Sequence, residues 1–155
     1  MEKRTKVNAE ENKHDLLITR DFNLPLELLF KAYSEAELLE QWMGTKVLKL
    51  ENKKFGCWQF ETRDKNGNVA FKAHGTVHEF DSNHRIVRTF EMENAPFGVQ
   101  LEVLQFEKMT EETSRLTIHS IYESVEQRDQ MLKLPFASGI NMAHNRLEEI
   151  VSQSK

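Results

Sequence analysis

The chain of 155 residues has one cysteine, Cys57, so no internal disulfide can form, and a lone thiol suits a reducing cytosol. No apolar run approaches the ~18 residues that a membrane-spanning helix needs. Residues 1–13 are polar and charged, without the apolar centre of a secretory signal. There is no basic excess either. Lys and Arg number 21 against 25 Asp and Glu, a formal charge of −4, and the basic residues are scattered, which argues against a nucleic-acid surface. Nucleophile elbow, phosphate loop and dinucleotide fingerprint are all missing, as are repeats, low-complexity tracts and linkers. What remains, 39% hydrophobic and 30% charged, is the composition of a soluble cytoplasmic protein with a core of its own.

The strongest pattern lies at the C-terminal end. Over 124–152, Val125, Leu132, Phe136, Gly139, Ile140, Ala143, Leu147 and Ile150 recur at steps of three, four and seven, the period of one buried helical stripe. Pro135 predicts either a kink or a break into a short first segment and a main helix. Arg128, Asp129, Lys133, Asn141, Asn145, Glu148 and Glu149 read as the solvated outer face.

Before this helix the chain alternates. A first strand over 15–23 leads through Pro25 into a short helix with Leu26, Leu29, Phe30 and Tyr33. Ser34, three residues before Glu37, has capping-box spacing for a second short helix ending at Gly44. Further strands are expected over 47–50, 55–63, 69–80, 86–91, 99–109 and 114–122, and Asn66-Gly67 marks a hairpin. The apolar parity slips between Val103 and Leu104, which predicts a bulge. Residues 1–13 read as a loose tail and 14–152 as a single domain. The expected fold is α+β: a curved antiparallel sheet of about seven strands wrapped around a long C-terminal helix, with two short helices after the first strand.

Several segments, in this order, carry a resemblance. They include Ile18-Thr19-Arg20, Leu29-Phe30-Lys31-Ala32-Tyr33, Gln41-Trp42, Phe55-Gly56-Cys57-Trp58-Gln59-Phe60 and Asp64-Lys65-Asn66-Gly67. Gly75-Thr76-Val77-His78-Glu79-Phe80, Arg85-Ile86-Val87-Arg88-Thr89-Phe90, Ser114-Arg115-Leu116-Thr117-Ile118 and Gly139-Ile140 with Leu147 complete the set. Over 15–150 the chain resembles the START-like, or helix-grip, superfamily, and within its SRPBCC group the activator of heat-shock-protein ATPase homologue-like family. Members often carry two adjacent glycines where this chain has Phe55-Gly56, and a Trp where it has Ile140. The resemblance implies a pocket between sheet and helix that takes lipids, hormones or other apolar molecules; some members are cyclases or dehydratases. It also implies a stress-response link through the co-chaperone that names the family. That protein grips its chaperone through a separate N-terminal domain, for which about thirteen residues before the first strand leave no expected counterpart.

Strand alternation selects the inner face. Trp58 and Phe60, then Phe71, Ala73, Gly75 and Val77, share one side of the sheet. Ile86, Arg88, Phe90, Leu104 and Phe106 continue it, followed by Leu116, Ile118, Ser120 and Tyr122. Trp42 would close one end. Leu132, Phe136, Gly139, Ile140 and Ala143 would face this set from the helix, Gly139 and Ala143 leaving room. Core packing is the default reading of any one of these residues; a pocket rests on the set.

For acid–base chemistry the candidates are Glu79 and Tyr122, with Arg88 and Glu102 nearby; Glu79 and Arg88 would equally form a structural pair across neighbouring strands. Of six histidines, His74 and His78 would lie about 13 Å apart at ~3.3 Å per residue, too far for one zinc. His84 falls at a turn, His119 points away from the helix and His144 flanks its stripe, so neither a metal site nor a cofactor is expected. Cys57 points outward.

The leading reading is binding of an apolar or amphipathic small molecule, with a cyclase- or dehydratase-type enzyme or a chaperone-linked interaction protein as alternatives. No nucleic-acid partner and no membrane insertion are expected. An exposed sheet edge would suit a homodimer.

Overall fold

The computed structural model describes residues 4–154. The chain runs through β1 (Lys6–Asn8), β2 (Asp15–Phe22), α1 (Leu26–Ser34), α2 (Ala36–Met43), β3 (Lys46–Leu50) and β4 (Cys57–Arg63). It continues with β5 (Val69–Asp81), β6 (Arg85–Met92), β7 (Val99–Lys108), β8 (Ser114–Ile121), α3 (Val125–Leu132) and α4 (Phe136–Ser152). One antiparallel sheet takes the order β1-β2-β8-β7-β6-β5-β4-β3. Strands β3 to β8 form a meander, and β2 closes onto β8 from far away in sequence, which brings α1 and α2 to one end of the concave face.

Local chemistry sets most boundaries. Gly67, at φ 82°, completes the β4–β5 turn, and the Asp64 carboxylate accepts the amides of Asn66 and Asn68 at 2.9 and 3.0 Å. Gly44 ends α2 in the left-handed conformation, its N–H donating to the Glu40 carbonyl at 3.1 Å. The expected capping box does not form. Ser34 belongs to α1 and its hydroxyl donates back to the Phe30 carbonyl, so Glu35 takes the cap position of α2 instead. At Pro135 the helical pattern breaks outright. Proline offers no N–H and its ring crowds the carbonyl four residues back, so α3 and α4 are separate helices. Ser124 caps α3, accepting from the Gln127 amide at 3.2 Å.

Three further expectations are corrected. The tail read over 1–13 contains an eighth strand: Val7 pairs with Ile18, and Thr5 just before β1 is buried. A three-residue strand leaves almost no alternation to detect, and its hold comes from side chains of α4 some 140 residues later. The bulge expected in β7 is absent, since β7 pairs in unbroken register with both β6 and β8. The parity slips because inward-facing Gln100 and Glu102 are polar while outward-facing Val99, Leu101 and Val103 are apolar. Register shifts lie elsewhere, at Val47/Lys49 between β3 and β4, at Thr62/Arg63 between β4 and β5, and in β5 between Val77 and Glu79. The last of these matters for the site. It turns Glu79 outward to pair with Arg85 at 3.3 Å, away from Arg88.

The core is divided in two. The main cluster joins Trp58, Phe60, Leu104, Phe106 and Ile118 of the sheet to Phe30, Trp42, Leu147 and Val151 of the helices. A smaller one gathers Leu16, Phe97, Tyr122 and Met131 at the far end. Phe136, in the first turn of α4, packs against both.

Candidate ligand-binding site

Between the two clusters the concave face turns polar. Strand register places Arg88 of β6 opposite Glu102 of β7, and Glu102 opposite Ser120 of β8. In the next row Phe90 faces Gln100. Tyr122 follows directly on Ile121, the partner of Leu101. The residues of this band are enclosed: Gln100, Ser120 and Tyr122 are each 3% exposed.

Arg88 anchors the band. Its Nε donates to Glu102 Oε1 at 3.0 Å, with the two side chains 12% and 15% exposed. Its guanidinium lies over the Trp58 ring at 4.8 Å, a cation–π contact in poorly solvated surroundings. Trp58 is itself fixed, with its indole N–H donating to the Thr89 carbonyl at 3.2 Å and its ring tilted against Phe90 at 5.4 Å. Gly75 makes this placement feasible, because a Cβ there would overlap the Thr89 carbonyl and crowd the indole nitrogen.

Much of the band's hydrogen-bonding capacity is unspent. Neither Nη of Arg88, nor Glu102 Oε2, nor the polar side-chain atoms of Gln100, Ser120 and Tyr122 have a hydrogen-bond partner among the described residues. None of these atoms is sealed off; each keeps a little open surface. Polar side chains this enclosed normally find protein partners, so several of them on neighbouring strand positions without one are informative. Burial and the nearby Glu102 carboxylate both push the Tyr122 phenol up from its ordinary value, so it stays protonated.

The first half of α4 is less buried than the second. Phe136, Ile140 and Ala143 are only partly buried, whereas His144, Leu147 and Val151 are fully packed. Gly139, expected to face the sheet and leave room there, is exposed on the flank of the stripe, and a Cβ there would touch nothing within 4 Å. Of the other residues expected to line a pocket, Arg88 and Tyr122 belong to the band, Phe90 is partly buried beside it, and Trp58, Val77 and Leu104 are packed in the main core. Phe60 and Phe106 are main-core residues, Phe71 is partly buried in β5, and Leu132 packs with the smaller cluster. Trp42 is committed elsewhere, donating its indole N–H to the Ala32 carbonyl at 2.8 Å.

A second polar cluster holds the opposite half of α4, and alternation alone did not reveal it. His144, expected at the edge, is 1% exposed. One ring nitrogen meets Thr5 Oγ1 at 2.7 Å and the other Tyr33 Oη at 3.0 Å. A neutral imidazole satisfies both, and burial, reinforced by Arg20, lowers its pKa from 6.5 to about 3. Arg20, 2% exposed, donates to Asn145 Oδ1 at 2.8 Å and lies 3.7 Å from the Glu148 carboxylate. Asn141, Asn145 and Glu148 thus face inward rather than toward solvent. Arg128, also assigned to the outer face, is 3% exposed and donates to the Glu10 and Asp15 carbonyls. Charged positions inside a helical stripe look identical to surface ones until the partner on another element is known.

The remaining histidines lie on turns or on the convex face. His74 contacts Glu91 and Glu93, His84 contacts Asp81, and His119 contacts Asp15. Among the described residues no three His, Cys, Asp or Glu side chains converge on a site for a metal ion. The Cys57 thiol lies 3.4 Å from Glu51. Among the described residues no helix is long and apolar enough to cross a membrane.

One open antiparallel sheet of eight strands, with two short helices after its second strand in chain order and a long C-terminal helix, is the helix-grip arrangement. Solved structures share it closely. Protein Ms6760 from Mycobacterium smegmatis superposes with a TM-score of 0.83 at 20% identity, over 95% of this chain and 96% of that one. A protein from Arthrobacter aurescens gives 0.85 at 16% identity, over 96% and 91%. One from Rhodobacter sphaeroides gives 0.85 at 19%, over 96% and 99%. At such identities the likeness is one of fold. The family is fixed by sequence: residues 23–152 match the profile of the activator of Hsp90 ATPase homolog 1-like proteins, and the chain belongs to that family. No curated protein matches it.

Proposed function

We propose that the protein binds a small amphipathic molecule between the sheet and the first half of α4, an apolar body resting on the partly buried Phe90 and Phe136 and a polar group on the band beside them. The observation that carries this reading is the set of enclosed yet unpartnered side chains, Gln100, Ser120 and Tyr122, beside an ion pair with spare valences. A solvent-filled pocket with no function would need no such concentration of polar groups on the only inward stretch of β7 that breaks the apolar pattern.

The enzyme alternative loses its carboxylate. Glu79 lies on the convex side, 47% exposed and paired with Arg85, and Glu102 is already engaged by Arg88. Tyr122 is held as a neutral phenol, suited to hydrogen bonding rather than to taking a proton. Native mass spectrometry of freshly purified protein should show a retained small molecule. A thermal-shift panel of amphipathic lipids, sterols and substituted aromatics should raise the melting temperature for some members. Failure of both would refute the reading.

A further inference from the structure

Resting on that pocket, we propose that the band selects a neutral ligand edge carrying a carbonyl-type acceptor next to an N–H or O–H donor, as in a primary carboxamide or a lactam, and discriminates against a carboxylate. Arg88 and Glu102 meet through a single hydrogen bond, Nε to Oε1, and not through the two-pronged pairing that would use up both groups. Nη donors therefore remain on one side of the pair and an Oε2 acceptor on the other. An acceptor–donor edge completes both at once.

Charge decides against the ionic candidates. The two side chains are 12% and 15% exposed, so their charges are weakly screened and largely cancel each other. A fatty-acid carboxylate drawn to Arg88 would bring a second negative charge beside Glu102. An ammonium would meet Arg88 in the same way. A wholly apolar group would leave donors and acceptor buried and unpaired, which costs more than leaving them open to water. Gln100, itself an amide with unused donor and acceptor atoms in the adjacent row, extends the same complementarity.

The test is a series on one naphthalene body, 2-naphthamide, 2-naphthoate, 2-acetylnaphthalene and 2-ethylnaphthalene, titrated calorimetrically into the protein and into two variants. On the natural protein 2-naphthamide should bind at least about tenfold tighter than 2-naphthoate or 2-ethylnaphthalene, with the ketone between, as one or two added hydrogen bonds predict. Glu102→Gln removes the negative charge but keeps an acceptor for Arg88 Nε. It should bring 2-naphthoate level with or ahead of 2-naphthamide. Arg88→Lys keeps the charge and removes the planar fork, and should weaken 2-naphthamide about tenfold while leaving 2-ethylnaphthalene unchanged.

Tightest binding of 2-naphthoate to the natural protein would overturn the inference. So would equal binding of all four compounds to protein and variants, although the pocket itself would then stand. Absence of binding by every compound, with no retained molecule in the native mass spectrum, would remove the pocket and this inference together.

Discussion

Lowering the pH should loosen α4 at one identifiable residue. His144 sits against Arg20 of β2, Tyr33 of α1, Thr5 before β1 and its own helix neighbours Asn141, Asn145 and Glu148, with the Phe22 and Trp42 rings on its flanks. In the unfolded chain it protonates near 6.5, whereas in the folded protein it resists down to about 3. Between those values the unfolded state binds the extra proton, so stability is complete above the unfolded pKa and falls as the pH drops through the window. At about 1.4 kcal/mol per unit, going from pH 7 to pH 5 spans roughly 1.5 effective units and costs about 2 kcal/mol. With a urea slope of about 2 kcal/mol/M the midpoint should move by roughly 1 M. His144→Gln, which keeps a donor and an acceptor but no titrating ring, should start about 1–3 kcal/mol less stable. It should lack that part of the pH slope. The rest of the chain is the same in both proteins, so the difference between the two slopes isolates His144. Equal slopes in the two proteins between pH 7 and 5 would refute the reasoning.

Other substitutions test separate parts of the structure. Arg20→Met should cost about 3 kcal/mol in urea denaturation, because Asn145 and Glu148 lose their shared donor in a buried setting; a neutral outcome would mean that the cluster contributes nothing net. Gly139→Ala should raise stability by about 0.5–1 kcal/mol, since the added methyl meets open space in a helix interior. Gly44→Ala should lower it by about 1 kcal/mol through its positive φ, although space is equally open there. Gly75→Ala should cost about 1–3 kcal/mol and shift the tryptophan emission, because Trp58 must leave the Thr89 carbonyl.

Seven of the eight strands were legible because alternation with one apolar face survives along most of each. The polar band was legible only as a disturbance. In β7 the apolar residues at 99, 101 and 103 face outward and the polar ones at 100 and 102 face inward, and without the pairing partners this pattern mimics a bulge. The register shift at Val77–Glu79 gave no such signal, since both parities there carry mixed residues, and the apparent partnership of Glu79 with Arg88 went with it. The aromatic members of the proposed site, Phe90 and Phe136, followed from periodicity. Its polar members depend on which strand lies beside which, and Arg88 with Glu102, fourteen residues apart, meet only because β6 and β7 are neighbours. Burial of His144 depends on Thr5, 139 residues distant, and no local pattern announces it.

The closure of β2 onto β8 also fixes an order of events during synthesis. β3 to β8 can pair each with the strand just made, but β2, complete at Phe22, has no partner until the chain reaches Ser114. At ~5–20 residues per second that is a wait of roughly 5–20 s. Throughout it Leu16, Ile18 and Phe22 stay unburied, and β1 has nothing to join. The two ends of the chain should therefore dock together as the final step, with Thr5 and His144 meeting last. Limited proteolysis of nascent chains stalled at increasing lengths should find residues 4–22 cleavable until α4 has emerged, and early protection of that segment would contradict this order.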